Sequence, residues 1–212
     1  CSPGFGSVAK YIATSTLEAV LVVRSMAETS TKVFILEVMG RHAGWIAAAS
    51  CLAATKAGDP PHIILLPEVP FEKTKFITQV KQTVKEQGYC VIVASEGTQT
   101  KNGKFLADSG LTDAFGHKQL GGVAPVLAGM ISKIGLKNHW AVADYLQRSA
   151  RHIASKTDLD QAYAVGEHAV KLAIAGKTAV MPIIKRTNDL PYRWKIATAP
   201  LKNVANIEKT MP

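Results

Sequence analysis

Cysteine is rare in this sequence, and no stretch approaches the roughly 20 uninterrupted apolar residues of a membrane span. The 212 residues include three cysteines, Cys1, Cys51 and Cys90, which are odd in number and widely spaced. This pattern argues against a disulfide framework or a cysteine metal site, and we expect buried free thiols. The first residues also lack the basic and then apolar plan of a signal peptide, so we expect a cytoplasmic protein without a membrane partner.

Acidic residues are also scarce: there are 16 Asp and Glu against 25 Lys and Arg, which gives a formal net charge of +9. The basic residues are scattered and no aromatic–basic platform accompanies them, so we expect no nucleic-acid partner. Small phosphorylated metabolites fit better, because a positively charged cleft concentrates anions. The nucleic-acid alternative would require a strongly salt-dependent affinity for DNA or RNA.

Two common phosphate-binding motifs are missing from the sequence. It contains no GxxxxGK[ST] loop and no glycine-rich dinucleotide fingerprint, and Pro3-Gly4-Phe5-Gly6 is either a weak phosphate loop or a tight turn. A phosphoryl-transfer site also needs a carboxylate for the metal and a base for the attacking hydroxyl. The sequence therefore provides binding residues without an obvious catalytic base.

An alternation of strand and helix patterns is present along most of the chain. The hydrophobic fraction of 47% and the charged fraction of 19% allow a substantial core. Strands are predicted at 33–38, 62–66, 90–94 and 139–143, helices at 8–24, 42–56, 73–87, 119–134 and 159–174, a strand pair at 178–184 and 193–198, and a closing helix at 201–209. This alternation predicts an α/β fold with a doubly wound, mostly parallel sheet and helices on both faces.

Polar residues follow three of the predicted strands. They are Met39-Gly40-Arg41, Ser95-Glu96-Gly97, and the pair Tyr145 and Arg148. Because the carboxyl ends of parallel strands share one edge, we expect these groups to converge on one crevice. Arg41 at the start of the predicted helix 42–56 would favour an anion there.

A sugar phosphate would suit this set of side chains. Glu96 can accept hydrogen bonds from sugar hydroxyls, and Arg148 can pair with phosphate oxygens. Each residue also has an ordinary alternative: Arg41 can be a solvated arginine, Glu96 a helix-capping or salt-bridged carboxylate, and Tyr145 a packed ring with a wet hydroxyl.

Five ordered motifs resemble the 6-phosphofructokinase family from Cys1 to at least about Ile184. They are Pro3-Gly-Phe-Gly-Ser-Val-Ala-Lys10, Glu37-Val-Met-Gly-Arg-His-Ala-Gly44, Leu66-Pro-Glu68, Ser95-Glu-Gly97 and Tyr145-Leu-Gln-Arg148. The resemblance is closest to the pyrophosphate-dependent branch, in which tyrosine stands where ATP-dependent relatives often have histidine. It implies a glycolytic diphosphate–fructose-6-phosphate 1-phosphotransferase, which transfers a phosphoryl group reversibly to fructose 6-phosphate with Mg²⁺.

The resemblance also implies roles for individual residues. Met39, Gly40 and Arg41 match the fructose 6-phosphate motif and Glu96 the sugar-binding glutamate. Tyr145 and Arg148 match the phosphate-binding pair. Lys32 lies where the family often has a basic residue that reaches a neighbouring subunit's sugar site, and His139 lies near a second such position. A homo-oligomer is therefore implied.

The family's donor-phosphate glycine loop and its Thr-Ile-Asp-Asn-Asp segment, which supplies the base and the magnesium carboxylates, are absent from this sequence. Cys1 corresponds to a point just after that segment, so we expect residues 1–212 to be the acceptor-sugar half, inactive without its N-terminal half. The residues that discriminate ATP from pyrophosphate belong to the absent part, so pyrophosphate rests on the resemblance alone. A non-catalytic regulatory module that binds a sugar phosphate is the alternative.

Overall fold

The computed structural model describes residues 4–112, 118–120 and 122–212. Its helices are α1 (Phe5–Met26), α2 (Trp45–Ala49), α3 (Lys73–Gln87), α4 (Val123–Ser132), α5 (Asp144–Ser149) and α6 (Lys156–Ile174). Its strands are β1 (Val33–Val38), β2 (Ile63–Leu65), β3 (Cys90–Ser95), β4 (Asp108–Thr112), β5 (Lys118–Leu120), β6 (Asn138–Val142), β7 (Val180–Asn188) and β8 (Arg193–Pro200).

A parallel sheet in the order β2-β3-β1-β6 forms the centre of the fold. Val33 at the start of β1 pairs with Cys90 on one side and with Asn138 on the other. Every residue of β3 is buried, which explains its uninterrupted apolar run. The α/β prediction is confirmed, whereas β4–β5 and β7–β8 form separate antiparallel pairs outside this sheet.

Helices cover both faces of the parallel sheet. On one face α3 and α4 pack against β1 and β3, around the buried side chains of Phe76, Val80, Leu127 and Ile131. On the other face α1 and α2 pack against the same strands, around Ile12, Val23 and Ala47. The chain therefore leaves β1 and β3 toward opposite faces, which opens a crevice at their carboxyl ends.

Three predicted helices differ from the observed elements. The predicted helix 42–56 is much shorter, because residues 39–44 form a loop and α2 gives way to a 3-10 turn at Ser50–Ala53. The predicted helix 119–134 begins only at Val123, after Gly122 with a φ of 95°, and Pro125 lies in its first turn. The closing helix 201–209 is wrong, since only the 3-10 turn Leu201–Asn203 forms there.

Helix α1 has the length and composition of a membrane span, with a mean hydropathy of 1.2 over its most apolar 18 residues. This differs from the sequence expectation that no such segment exists. One face of α1 nevertheless packs into the core through Val8, Ile12, Val20 and Val23. The core helix of a globular protein meets the same length and composition criteria.

The cysteine prediction is confirmed in part. Cys51 and Cys90 are free thiols, as expected, but Cys51, in the 3-10 turn Ser50–Ala53, is exposed where burial was expected. Cys90 is buried in β3, and burial raises the pKa of its thiol to about 12. Cys90 is therefore unreactive in the folded protein. Cys1 lies outside the described residues.

Candidate functional site

A cavity of about 460 Å³ lies at the carboxyl edge of the parallel sheet. Its wall is formed by the ends of β1 and β6, the segment after β3, the residue before α4 and the first residue of α5. The residues are Glu37, Val38, Met39, Glu96, Gly122, Val142 and Asp144. The predicted convergence of strand ends thus produces a cavity whose wall carries carboxylates.

The loops that follow β1 and β3 are joined by hydrogen bonds. The Gly40 N–H donates to Glu96 Oε1 over 3.2 Å, the Ser95 hydroxyl donates to the Gly40 carbonyl, and the Glu96 N–H donates to the Val38 carbonyl over 2.9 Å. Gly40 has a φ of 139°, which favours glycine. These bonds fix the Glu96 carboxylate at the cavity wall.

Gly97 allows a very close approach between the two loops. A Cβ atom at this position would lie 2.6 Å from the Gly40 carbonyl oxygen and even closer to the Arg41 carbonyl oxygen. Real Cβ atoms do not make such contacts, so only glycine permits the observed packing. The conformation of the segment carrying Arg41 therefore depends on Gly97.

Arg41, Tyr145 and Arg148 follow cavity-wall residues along the chain. Arg41 is half-buried in the loop 39–44, and α2 starts only at Trp45, so Arg41 does not open a helix as predicted. Tyr145 and Arg148 are on α5, whose first residue, Asp144, lines the cavity. Both side chains are exposed, with the Arg148 Cζ 5.6 Å from the Tyr145 ring centroid. The wall as described includes Met39 and Glu96 but not Arg41, Tyr145 or Arg148.

Lys32 and His139 lie near the opposite edge of the sheet. Lys32 immediately precedes β1, and its ammonium donates to the Ala27 carbonyl. His139 is exposed on β6, in register with Phe34 near the start of β1. Neither side chain is brought to the cavity of its own chain, so their intersubunit roles stay predictions.

Two carboxylates of the cavity wall, Glu37 and Asp144, were not predicted. Glu37 is 5% exposed, and its Oε2 accepts the backbone N–H of Ala124 at the start of α4 over 2.7 Å. Burial raises the pKa of Glu37, the charges of Glu96 and Asp144 raise it further, and the Ala124 N–H opposes the rise. A carboxylate within the apolar run of β1 was the available signal, because buried charges need a partner.

The variant Glu37→Gln should make folding stability less dependent on pH. Since the pKa of Glu37 is raised in the folded state, the folded chain holds this proton more tightly than the unfolded chain does. Wild-type stability therefore falls as pH rises through the ordinary value of 4.5 toward the raised pKa. Glutamine keeps an oxygen for the Ala124 N–H but cannot ionise, so the variant should gain stability relative to wild type between pH 5 and about pH 8.

Urea unfolding of wild type and Glu37→Gln at pH 5 and at about pH 8 measures this difference in unfolding free energy. Glu167→Gln is the matched control, because Glu167 is exposed and its hydrogen bond to Lys171 lowers its pKa. A lowered pKa changes stability only as pH falls below the ordinary value of 4.5, so Glu167→Gln should show almost no pH effect between pH 5 and about pH 8. An unfolding free energy for Glu37→Gln that differs from wild type by the same amount at both pH values would contradict the interpretation.

The cavity carboxylates do not form a magnesium site. Over residues 4–112, 118–120 and 122–212, no group of three His, Cys, Asp or Glu side chains is placed to hold a metal ion. Glu37 and Glu96 instead accept backbone N–H groups. These two carboxylates therefore already serve as hydrogen-bond acceptors within the fold.

Comparison with known proteins is consistent with this geometry. A family model described as phosphofructokinase matches residues 1–173. The chain belongs to the phosphofructokinase family. Its match spans α1 to most of α6 and includes the phosphofructokinase motifs of both cavity loops.

Close phosphofructokinase relatives carry pyrophosphate in their names. A pyrophosphate–fructose 6-phosphate 1-phosphotransferase of Halomonas elongata is 66% identical over 212 residues, which cover 100% of this chain and 51% of the relative. A crystal structure of the pyrophosphate-dependent phosphofructokinase from Marinobacter aquaeolei matches with a TM-score of 0.83 and 60% identity, covering 100% of this chain and 50% of that one. This phosphofructokinase chain therefore spans about half the length of these relatives.

The fold itself extends to distant phosphofructokinases. The Pichia pastoris phosphofructokinase in the T-state matches with a TM-score of 0.60 at 20% identity, covering 94% of this chain and 21% of that one. At this identity the match concerns the fold alone. This chain therefore shares its fold with that distant structure.

Proposed function

We propose that this chain is the acceptor-sugar half of a pyrophosphate-dependent phosphofructokinase and that it binds fructose 6-phosphate at the carboxyl edge of its parallel sheet. The observation that carries the proposal is the juxtaposition of Met39 and Glu96 on the wall of one cavity, with the Gly40 N–H bonded to Glu96. The names of the Halomonas and Marinobacter relatives support pyrophosphate as the donor.

The distribution of charge favours one orientation of the sugar phosphate. The wall carries the carboxylates of Glu37, Glu96 and Asp144, which repel a phosphate but accept hydrogen bonds from hydroxyl groups. Arg41 and Arg148 lie beside the cavity on the two connections that border it. We therefore place the sugar hydroxyls against Glu96 and the phosphate toward the arginines and Tyr145.

Lys32 and His139 support a shared site in a homo-oligomer. They lie near the amino end of β1, whereas the cavity lies at its carboxyl end. A six-residue strand spans about 20 Å, so neither side chain can reach the cavity of its own subunit. Both could bind the phosphate only in the site of a neighbouring copy, where a histidine lacks the bidentate fork with which an arginine binds phosphate.

In the proposed reaction this chain holds and orients the acceptor. The 1-hydroxyl oxygen of fructose 6-phosphate forms a bond to a phosphorus atom of pyrophosphate, the bridging P–O bond breaks, and the hydroxyl proton passes to a base. We place the base and the Mg²⁺ ligands in an N-terminal half, because the family resemblance assigns them to a segment that this sequence lacks and the chain covers only 51% of the Halomonas elongata relative. The assembled enzyme would act in cytoplasmic glycolysis.

The test is reconstitution of activity. The chain would be co-expressed with the part of the Halomonas elongata relative that it does not cover, and the resulting assembled enzyme assayed for fructose 1,6-bisphosphate with pyrophosphate or ATP as donor. We expect turnover with pyrophosphate in the assembled enzyme and none with the 212-residue chain alone.

Two outcomes would change the proposal. Turnover by the chain alone would overturn its assignment as an incomplete half. A chain that binds fructose 6-phosphate but never supports turnover in the assembled enzyme would instead be a regulatory module that binds a sugar phosphate.

A further inference from the structure

Residues 208–211, called here the C-terminal segment, lie against the loop that carries Arg41. The Glu208 carboxylate is 2.7 Å from the His42 Nδ1, and the Trp45 indole N–H donates to the Lys209 carbonyl over 2.7 Å. The Lys209 ammonium lies 5.9 Å from the centre of the Trp45 ring. The C-terminal segment therefore follows the loop 39–44 into the start of α2.

Glu68 joins this segment to the loop. Its Oε1 accepts the N–H of Gly44, at the end of the loop, over 2.9 Å and the N–H of Met211 over 2.9 Å. Burial by itself raises the pKa of Glu68, but the N–H groups of Met211 and Gly44 outweigh it and hold the pKa below its ordinary value. The carboxylate is thus a charged acceptor, which strengthens both hydrogen bonds.

The loop is consequently held at both of its ends. Gly40 is bonded to Ser95 and Glu96 beside the cavity, while Gly44 is bonded to Glu68. Arg41 lies between these attachments and is only half-buried. Without the second attachment the loop would gain backbone freedom, and substrate binding would then have to remove it.

We propose that Glu68 and the C-terminal segment position the loop 39–44 so that Arg41 is preorganised for the sugar phosphate. This inference rests on the proposed function, and it makes Glu68 a positioning residue that does not touch the substrate. It also gives a role to Leu66-Pro67-Glu68, a motif whose function the cavity itself does not explain.

The kinetic test uses variants of the assembled enzyme. Glu68→Ala should raise the KM for fructose 6-phosphate by about tenfold, while kcat and the KM for pyrophosphate stay within about twofold of wild type. Glu68→Gln should restore most of the affinity, because its amide oxygen can still accept both N–H groups. Deletion of residues 208–212 should raise the same KM, and combining it with Glu68→Ala should add little.

Glu72→Ala is the matched control. Glu72 lies four positions further along the chain and forms an exposed ion pair with Lys101, so its removal should leave every kinetic constant unchanged. The inference is overturned if Glu68→Ala keeps the wild-type KM for fructose 6-phosphate. It is also overturned if the KM for pyrophosphate rises equally, which would indicate general destabilisation.

Hydrogen exchange separates this inference from the proposed function. In the 212-residue chain, Glu68→Ala should accelerate exchange at the backbone amides of residues 40–45, whereas Glu72→Ala should not. Faster exchange without any turnover in the wild-type assembly would support the positioning role and reject the enzyme assignment. Unchanged exchange would overturn the positioning role whatever the enzyme does.

Discussion

The variant Gly97→Ala is expected to weaken fructose 6-phosphate binding by about 100-fold or more, because misplacing a binding group by about 1 Å can have an effect of that size. The new Cβ atom would overlap the Arg41 carbonyl oxygen and lie 2.6 Å from the Gly40 carbonyl oxygen. The two loops must therefore separate, which breaks the contact between Gly40 and Glu96. Overpacking of this buried position should also destabilise the fold by about 1–3 kcal/mol.

Gly129→Ala in α4 provides the matched control. No heavy atom lies within 4 Å of a Cβ placed at Gly129, which is exposed in the helix. The same substitution should therefore stabilise the chain by roughly 0.5–1 kcal/mol and leave sugar-phosphate binding unchanged. Calorimetric titration of both variants with fructose 6-phosphate, alongside urea unfolding, measures the two effects. Wild-type affinity in a folded Gly97→Ala variant would show that the observed loop packing is not required for binding.

Arg148→Ala should weaken fructose 6-phosphate binding by about 10–100-fold, the range expected for losing a charge-assisted hydrogen bond to phosphate. Arg148 is on α5, four residues after the cavity residue Asp144, and its guanidinium lies over the Tyr145 ring. This placement leaves its donors available beside the site. The measurement is the KM for fructose 6-phosphate in the assembled enzyme, or its Kd by calorimetry.

Arg151→Ala is the matched control, because it removes the same charge at a different position on the surface. Arg151 lies three residues further on, in a 3-10 turn, and is also exposed. Both variants remove the same charge from neighbouring parts of the surface, so a general electrostatic effect would be equal in the two. We expect a change of no more than about threefold for Arg151→Ala. Equal losses would show that Arg148 does not bind the phosphate.

The sequence predicted the helices and strands whose bounds depend on neighbouring residues in the chain. The helix predicted at 73–87 is observed as Lys73–Gln87, because its amphipathic pattern ends at Gly88, whose φ of 84° suits glycine. The buried run of β3 was equally clear, since uninterrupted apolar residues identify a strand covered on both faces. The meeting of Met39 and Glu96 followed from the rule that parallel strands share their carboxyl edge.

The features that were not predicted depend on distant contacts. Residues 201–209 have the composition of a helix, but Glu208 and Lys209 contact His42 and Trp45 instead. The Glu37 carboxylate accepts the backbone N–H of Ala124 at the start of α4. The spacing of these two residues in the sequence does not indicate this contact. All the binding roles assigned from the family resemblance stay predictions, namely those of Lys32, Met39, Gly40, Arg41, Glu96, Tyr145 and Arg148.

The pairing of β1 has a consequence for how the chain folds. This strand is at the centre of the sheet, yet Val33 finds its partners at Cys90 and Asn138, far along the sequence. During synthesis the backbone N–H and C=O groups of β1 therefore stay unpaired, and its apolar side chains stay exposed, until β3 and β6 have been synthesised. Such non-local parallel pairing folds slowly and exposes strand edges to aggregation. Truncations that end before β6 should accumulate as insoluble protein, because they leave one edge of β1 without its neighbour.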